Sequence, residues 1–185
     1  MGQLRDFNLE DYGCNIYIET GTGHGGTLSK ALANKKFKDC YSVDMDIELV
    51  NRARVLLKHA IIEHALSIVA LEKWVSTLPV DSKILFFLDA HFPGSDYRGA
   101  AYDVTAPHAI PLKEELEIIK RYRPDSKDVI ICDDARIYTT GPFEGGDVSD
   151  WLNVPGGYQF VYDIFPESKI ELLYSEHGYI VIDRR

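Results

Sequence analysis

Three glycines at alternate positions dominate the segment 19–25, which reads Glu-Thr-Gly-Thr-Gly-His-Gly and follows the apolar run Ile16–Ile18. A turn of this composition between a strand and a helix lets a ligand approach the backbone closely and exposes the N–H groups of the helix N-terminus to it. The same composition also occurs in tight turns that bind nothing. The segment therefore predicts a site for a nucleotide cofactor and leaves a purely structural turn as the alternative.

Glu19 distinguishes between two cofactors that fit this turn. The spacing Gly21-x-Gly23-x-x-Gly26 also matches the dinucleotide fingerprint, and Asp44, which ends the next apolar run, would accept hydrogen bonds from the ribose of either cofactor. A carboxylate two residues before the first glycine repels the diphosphate of NAD. The cost is about 4 kcal/mol for two like charges ~4 Å apart at an effective dielectric constant of about 20. The sulfonium and ammonium groups of S-adenosylmethionine attract the carboxylate, so we predict that cofactor.

Acidic and imidazole side chains follow two later apolar runs. Asp89 and His91 come after the run Ile84–Leu88, and Asp133 and Asp134 come after the next predicted strand. If these runs form neighbouring parallel strands, three carboxylates meet beside the bound cofactor. Such a cluster raises the pKa of one carboxyl or binds a cation.

Two interpretations of this acidic cluster stay open. Asp89, Asp133 and Asp134 are oxygen ligands of the kind that Mg²⁺ prefers, and an ion there would lower the pKa of a bound hydroxyl. Arg136 is the alternative, since it would neutralise Asp133 or Asp134 and make a metal unnecessary. We predict that Asp89 and His91 are catalytic, with His91 as the general base. The alternative for His91 is a hydrogen-bonded loop histidine.

Strand and helix patterns alternate through most of the chain. The predicted strands are Ile16–Ile18, Cys40–Asp44, Ala60–Ile62, Lys83–Leu88 and Asp128–Cys132. The predicted helices are Thr27–Ala33, Ile47–His59, Ile68–Leu78 and Pro111–Tyr122. This alternation predicts an α/β fold with a doubly wound, mostly parallel sheet and helices on both faces, in which ligands bind at the carboxyl ends of the strands.

The C-terminal part has a different pattern. Lys169–Tyr174 and Tyr179–Ile182 predict an antiparallel β-hairpin. A short helix is predicted within 148–152, and the segment 158–165 receives no assignment. The Gly- and Pro-containing segments 92–110 and 138–157 are candidates for loops that cover a substrate.

In three segments the chain resembles the class I S-adenosylmethionine-dependent methyltransferases. These are 18–25, 41–44 (Tyr-Ser-Val-Asp) and 87–91 (Phe-Leu-Asp-Ala-His), and the segments 111–116 and 130–136 resemble a bacterial subset of these enzymes. The likeness covers about residues 14–136. The arrangement is also similar to that of metal-dependent O-methyltransferases, in which an aspartate after the fourth strand and an acidic pair after the fifth bind a divalent ion.

The resemblance implies a set of cofactor contacts. Glu19, Gly21 and Gly23 would bind the methionine part, and Asp44 the ribose. Such enzymes often contact adenine through a Gly-Asp-Ser-like segment after the third strand, of which only Ser67 matches here. The full predicted cofactor set is Glu19, Gly21, Thr22, Gly23, Gly25, Asp44, Ser67 and Asp89.

Composition limits the other classes of function. The 185 residues suit one domain over 1–185, and the net charge of −9 disfavours nucleic acid as a partner. Three widely spaced cysteines, an N-terminus without an apolar leader and the lack of a run near ~20 apolar residues predict a cytoplasmic protein without a membrane partner. A homodimer is left open.

These observations predict an S-adenosylmethionine-dependent methyltransferase. The expected reaction is O-methylation of a small molecule, sugar or natural-product intermediate, with a divalent metal such as Mg²⁺ as an open addition. N-methylation also stays open. Two alternatives of other classes are an NAD-dependent oxidoreductase and a non-catalytic cofactor-binding protein of the same fold.

Overall fold

The computed structural model describes residues 4–91, 108–146, 154 and 156–185. The predicted helix within 148–152 and most of the predicted loop 92–110 lie outside this range. The strands are β1 (Ile16–Thr20), β2 (Asp39–Asp44), β3 (Ile61–His64), β4 (Ile84–Leu88), β5 (Val129–Asp133), β6 (Lys169–Leu173) and β7 (Tyr179–Asp183). The helices are α1 (Gly26–Ala33), α2 (Ile47–Leu56), α3 (Ser67–Val75), α4 (Leu112–Tyr122) and α5 (Gln159–Ile164).

The strands form one sheet in the order β3-β2-β1-β4-β5-β7-β6. The first five strands pair in parallel, and β7 pairs antiparallel to both β5 and β6. The predicted doubly wound sheet with a C-terminal antiparallel hairpin is confirmed. The strand order reverses between β1 and β4, so a crevice opens there at the carboxyl ends of the strands.

The sheet separates two apolar cores, because alternate side chains of each strand point to opposite faces. Ile18 contributes to the core under α3, α4 and α5, whereas Tyr17 contributes to the core under α1, α2 and the N-terminal residues. Leu116 and Trp74 fill the first core and Leu28 the second. In the described part of the chain, no helix is long and apolar enough to span a membrane.

Element boundaries differ from the sequence prediction in a few places. Helix α2 ends at Leu56, and the next residues form a turn before β3. The segment without an assignment contains α5, whose six residues are too few to show a helical period but bury Val161. Short 3-10 helices also occur at Leu9–Tyr12 and Ala135–Ile137.

A buried ion pair joins the beginnings of β4 and β5, at the amino ends of the strands and opposite the crevice. The side chains of Arg123 and Asp128 are 1% and 0% exposed, with Nε and Nη2 of Arg123 at 2.7 and 3.0 Å from the two Asp128 carboxylate oxygens. Asp128 also accepts a hydrogen bond from the Ile84 N–H at 2.9 Å. Arg123 donates to the Ser82 carbonyl at 2.7 Å. The pair thus fixes the start of both strands.

Candidate functional site

The glycine turn after β1 lies against the end of β4. Gly21, Gly23 and Gly25 have φ angles of +82°, +51° and +78°, in the left-handed region that other residues rarely adopt. A Cβ atom on Gly21 would lie 2.8 Å from the carbonyl carbon of Asp89 and nearer still to its oxygen. Glycine is therefore required at position 21 by both the backbone angle and the close approach.

Asp44 braces this turn from the end of β2. Its Oδ2 accepts a hydrogen bond from the Gly23 N–H at 2.9 Å, and its Oδ1 accepts one from the Asp46 N–H at 2.8 Å. Burial raises the pKa of the Asp44 carboxyl, and these backbone donors oppose that rise. Each carboxylate oxygen keeps a second lone pair for a ligand hydroxyl. The Thr22 hydroxyl faces inward, 2.6 Å from that of Ser42.

Glu19 lies beneath the turn and has no exposed surface. Its carboxylate accepts hydrogen bonds from the hydroxyls of Tyr17 at 2.9 Å, Thr27 at 2.8 Å and Ser42 at 2.7 Å. Burial raises the pKa of Glu19 to about 7, and the three hydroxyl donors oppose that rise. The structure thus holds the Glu19 carboxylate between β1, β2 and the first turn of α1, next to the glycine turn. Direct contact with the cofactor stays a prediction.

Glu19 is expected to make the stability of the protein depend on pH. Its pKa in the folded protein, about 7, exceeds its usual value of 4.5, so the folded state keeps a proton that the unfolded state releases. The stabilisation that this proton provides is complete below the usual pKa of 4.5 and is lost as the pH rises through the folded pKa of about 7. Integrated over the window from about pH 5.5 to about pH 8, the loss is about 2 kcal/mol.

Urea unfolding of the wild type and of Glu19→Gln at both pH values measures this contribution. Other buried carboxyls titrate in both proteins, so only the difference between the two reports on Glu19. We expect the stability of the wild type relative to the variant to fall by about 2 kcal/mol between the lower and the higher pH. An unchanged difference would show that Glu19 is ionised in the folded protein throughout this range.

Asp89, His91 and Asp133 form one buried cluster at the ends of β4 and β5. The His91 Nε2 lies 3.1 Å from Asp89 Oδ1, and one potential ligand atom from each of the three residues lies within 4.8 Å of the others. A hydrogen bond links the two carboxyl groups. Burial raises the pKa of both well above the usual range of an aspartate. The cluster therefore carries less negative charge than its composition implies, unless a cation binds.

Asp134 lies beside this cluster and pairs with Arg136. Its backbone has a φ of +56°, and its Oδ1 accepts a hydrogen bond from Arg136 Nε at 2.5 Å. Its Oδ2 lies 3.6 Å from His91 Nε2 and 4.0 Å from His177 Nδ1. The structure therefore divides the three predicted metal ligands: Asp89 and Asp133 lie together with His91, whereas Asp134 pairs with the arginine that the sequence offered as the alternative.

Glu115 is a site residue that the sequence analysis does not identify. It lies in the first turn of α4, is 1% exposed, and lines a cavity of about 10 Å³ together with His91, Asp133 and Tyr138. Its Oε1 has no hydrogen-bond partner among the described residues. Burial raises the pKa of Glu115 to about 7, against a lowering effect of the nearby Ser67 hydroxyl.

Two exposed apolar side chains lie in the loops next to Asp44. Met45 and Leu66 are 48% and 37% exposed and follow β2 and β3. Their loops are joined by a hydrogen bond from the Ala65 N–H to the Asp44 carbonyl at 3.1 Å. Ser67, the predicted adenine contact, begins α3 next to Leu66, and its hydroxyl lies toward Glu115. The apolar residue Met45 directly after Asp44 was a signal available in the sequence.

Comparison with models of protein families and with curated proteins gives no match. Solved structures do match over most of the chain. A Staphylococcus aureus protein provisionally assigned as a caffeoyl-CoA O-methyltransferase has a TM-score of 0.60 at 15% identity, over 95% of this chain and 78% of that one. The methyltransferase domain of bacterial CtHen1 has a TM-score of 0.55 at 13% identity, over 95% and 93%.

Spermidine synthase from Thermotoga maritima has a TM-score of 0.54 at 15% identity, over 94% of this chain. The chain spans about half of that protein, 54% of its length. Together with the strand order and the antiparallel β7, these matches decide the architecture. The fold is that of the class I methyltransferases. At such identities the likeness shows the fold, and the activity has to be argued from the site.

Proposed function

We propose that this protein is an S-adenosylmethionine-dependent methyltransferase that methylates a hydroxyl group of a small molecule, sugar or natural-product intermediate. The observation that carries the proposal is the buried carboxylate of Glu19 under a glycine turn, at the crevice of a class I methyltransferase fold. Above its pKa of about 7 this carboxyl group is ionised, and its negative charge then favours a sulfonium cofactor over a diphosphate. The carboxylate of Asp44, which accepts a hydrogen bond from the Gly23 N–H, acts in the same direction.

The crevice offers a place for each part of the cofactor. The methionine part would lie over the turn between Gly21 and Gly23, whose backbone approaches the end of β4. The free lone pairs of Asp44 would accept hydrogen bonds from the ribose hydroxyls. The exposed side chains of Met45 and Leu66 would pack on the adenine ring. This position directs the methyl group toward Asp89 at the end of β4.

His91 has the geometry of a general base beside that position. Its Nε2 lies 3.1 Å from Asp89 Oδ1, so the carboxyl group of Asp89 orients the imidazole. In the proposed reaction the acceptor oxygen bonds to the methyl carbon as the carbon–sulfur bond breaks. The hydroxyl proton passes to His91, and the products are S-adenosylhomocysteine and a methyl ether. The sequence predicts a divalent ion held by Asp89, Asp133 and Asp134, which would lower the pKa of the acceptor hydroxyl. Because Asp134 pairs with Arg136, only Asp89 and Asp133 of these three lie together to hold such an ion.

Thermal unfolding in the presence of each candidate cofactor tests the proposal. S-Adenosylhomocysteine at about 100 times its dissociation constant adds ~2.7 kcal/mol of stability. For a chain of this length that corresponds to a rise in melting temperature of roughly 5–11 °C. We expect this rise with S-adenosylhomocysteine and none with NAD. The opposite pattern would establish the oxidoreductase alternative.

Two aspartates on the same strand provide matched variants for this assay. Asp44→Ala removes the carboxylate that braces the turn and faces the ribose, so the rise with S-adenosylhomocysteine should be lost or much reduced. Asp39→Ala removes an exposed carboxylate at the start of β2 and should leave the rise unchanged.

Several further properties stay predictions from the sequence. They are a small-molecule acceptor without nucleic acid or membrane as a partner, the cytoplasmic location and a homodimer.

A further inference from the structure

A small cavity lies between the start of α4 and the carboxyl ends of β4 and β5. Its volume of about 10 Å³ is space for about one water-sized group. Glu115 contributes a carboxyl group to the wall, and His91 and Asp133 form another part of it. The rest of the wall is apolar or aromatic and consists of Leu88, Ala90, Pro111, Leu112 and Tyr138.

Glu115 indicates that a ligand belongs in this cavity. The residue is 1% exposed, and its Oε1 has no hydrogen-bond partner among the described residues. The Thr20 hydroxyl lies near enough to lower the pKa of Glu115, yet it too is buried without a partner in that part of the chain. Polar groups are costly to bury in this state, because nothing replaces their hydrogen bonds to water. We therefore expect a bound group to supply the missing hydrogen bond to Glu115.

The chemistry of a carboxylate restricts what this group is. A carboxylate only accepts hydrogen bonds, so the bound group must donate them. A positively charged donor suits it best, because charge-assisted hydrogen bonds are about twice as strong as neutral ones. No cationic side chain of the described chain donates to Oε1 of Glu115. The position of Glu115 in the first turn of α4 also favours its ionised form, since the helix dipole stabilises negative charge there.

The size and the walls of the cavity select a primary ammonium group among such cations. This group is about as large as one water molecule and carries three N–H donors. The carbon atom attached to it is apolar and would contact Leu88 and Leu112, which line the cavity. A quaternary ammonium group is too large for this volume and has no N–H to donate. The cavity therefore fits the end of a primary amine.

We propose that Glu115 binds a primary ammonium group of the methyl acceptor in this cavity, so that the acceptor is a small amino alcohol. The inference rests on the proposed function only in assigning the ammonium group to the acceptor. His91, the proposed general base, lines the same cavity, so the reacting hydroxyl and the ammonium group are separated by only a few bonds. An ammonium nitrogen has no lone pair, and the hydroxyl oxygen therefore remains the atom that takes the methyl group.

Titration of the isotope-labelled protein with methylammonium chloride, followed by nuclear magnetic resonance, tests this site without any turnover. At about pH 8 Glu115, whose pKa is about 7, is mostly ionised. Tetramethylammonium chloride keeps the ionic strength constant and provides a cation without N–H groups. The amide signals of Ala90 and Leu112 should shift in a saturable manner. Methanol, which has as many heavy atoms as methylammonium but no charge, should bind at least about 10-fold more weakly.

Two variants and one matched control assign the binding to Glu115. Glu115→Gln removes the negative charge at nearly constant size and should weaken methylammonium binding about 10- to 100-fold. Leu112→Phe fills the cavity and should abolish binding although Glu115 is retained. This variant decides the question if circular dichroism shows that Glu115→Gln fails to fold. Glu117→Gln makes the same change at an exposed position of α4 and should bind methylammonium like the wild type.

The same titration with saturating S-adenosylhomocysteine tests whether the ammonium group belongs to the acceptor. Methylammonium should bind with unchanged affinity, whereas competition would mean that the cavity takes the ammonium group of the cofactor and would overturn the assignment to the acceptor. Absence of saturable methylammonium binding, equal binding of methanol, or wild-type affinity in Glu115→Gln would each overturn the ammonium site. S-Adenosylhomocysteine binding is measured on its own, so its loss would contradict the proposed function and leave the ammonium site intact.

Discussion

The Gly21→Ala variant is expected to bind S-adenosylhomocysteine at least about 100-fold more weakly than the wild type, a difference of ~2.7 kcal/mol. The added Cβ would lie 2.8 Å from the carbonyl carbon of Asp89. In addition, a φ of +82° costs an L-residue about 1–2 kcal/mol. The turn must therefore move away from the end of β4, and the proposed cofactor site lies between these two elements.

Isothermal titration calorimetry measures this effect, and Gly26→Ala is the matched control. Gly26 begins α1, and a Cβ at that position meets no atom within 4 Å. Alanine also favours a helix more than glycine does, so this variant should bind S-adenosylhomocysteine normally. Normal binding by Gly21→Ala would show that the turn lies outside the cofactor site.

The Asp128→Ala variant is expected to lower the free energy of unfolding by about 3–5 kcal/mol. It removes one partner of a buried ion pair and leaves the guanidinium of Arg123, which is 1% exposed, without its carboxylate. The Ile84 N–H also loses its acceptor. Urea unfolding at neutral pH measures the loss.

Asp125→Ala, at an exposed position of the same loop, should change the free energy of unfolding by less than about 0.5 kcal/mol. Asp128 lies at the amino ends of the strands, whereas the crevice lies at their carboxyl ends. Folded Asp128→Ala should therefore bind S-adenosylhomocysteine with unchanged affinity. A loss below about 1 kcal/mol would mean that water or a neighbouring group, such as Arg184, compensates for the missing carboxylate.

The sequence predicts the sheet well because its signals are local. Each buried parallel strand is a short apolar run, and the residues after it lie at the crevice by the geometry of the fold alone. For that reason the sequence places four acidic residues at the carboxyl ends of the strands: Glu19, Asp44, Asp89 and Asp133. The structure has them at these strand ends.

The sequence predicts contacts between separate segments less well. The orientation of Asp134 depends on a left-handed backbone angle and on an arginine two residues later. Neither the apolar run before it nor its charge indicates that orientation. Likewise, α5 has only six residues, so its helical period cannot be separated from the surrounding irregular chain.

Glu115 could have been identified from a signal in the sequence. Acidic residues early in α4 suit the helix dipole, and that explanation is sufficient for Glu114, which is exposed. Helical spacing, however, places Glu115 on the same face as Leu112, Leu116 and Ile119, all of which are buried. An acidic residue within an apolar stripe faces the core. The stripe therefore identifies Glu115 as the unusual residue of this helix.

The position of β7 has a consequence for synthesis on the ribosome. β7 lies between β5 and β6, although it follows both along the chain. Until residues 179–183 emerge, β5 presents an unpaired edge to which other chains can add. Asp133 pairs with Tyr179 in the finished sheet, so the acidic cluster gains its last neighbouring strand only then. A nascent chain that pauses before this point would be prone to aggregate and would lack a complete site.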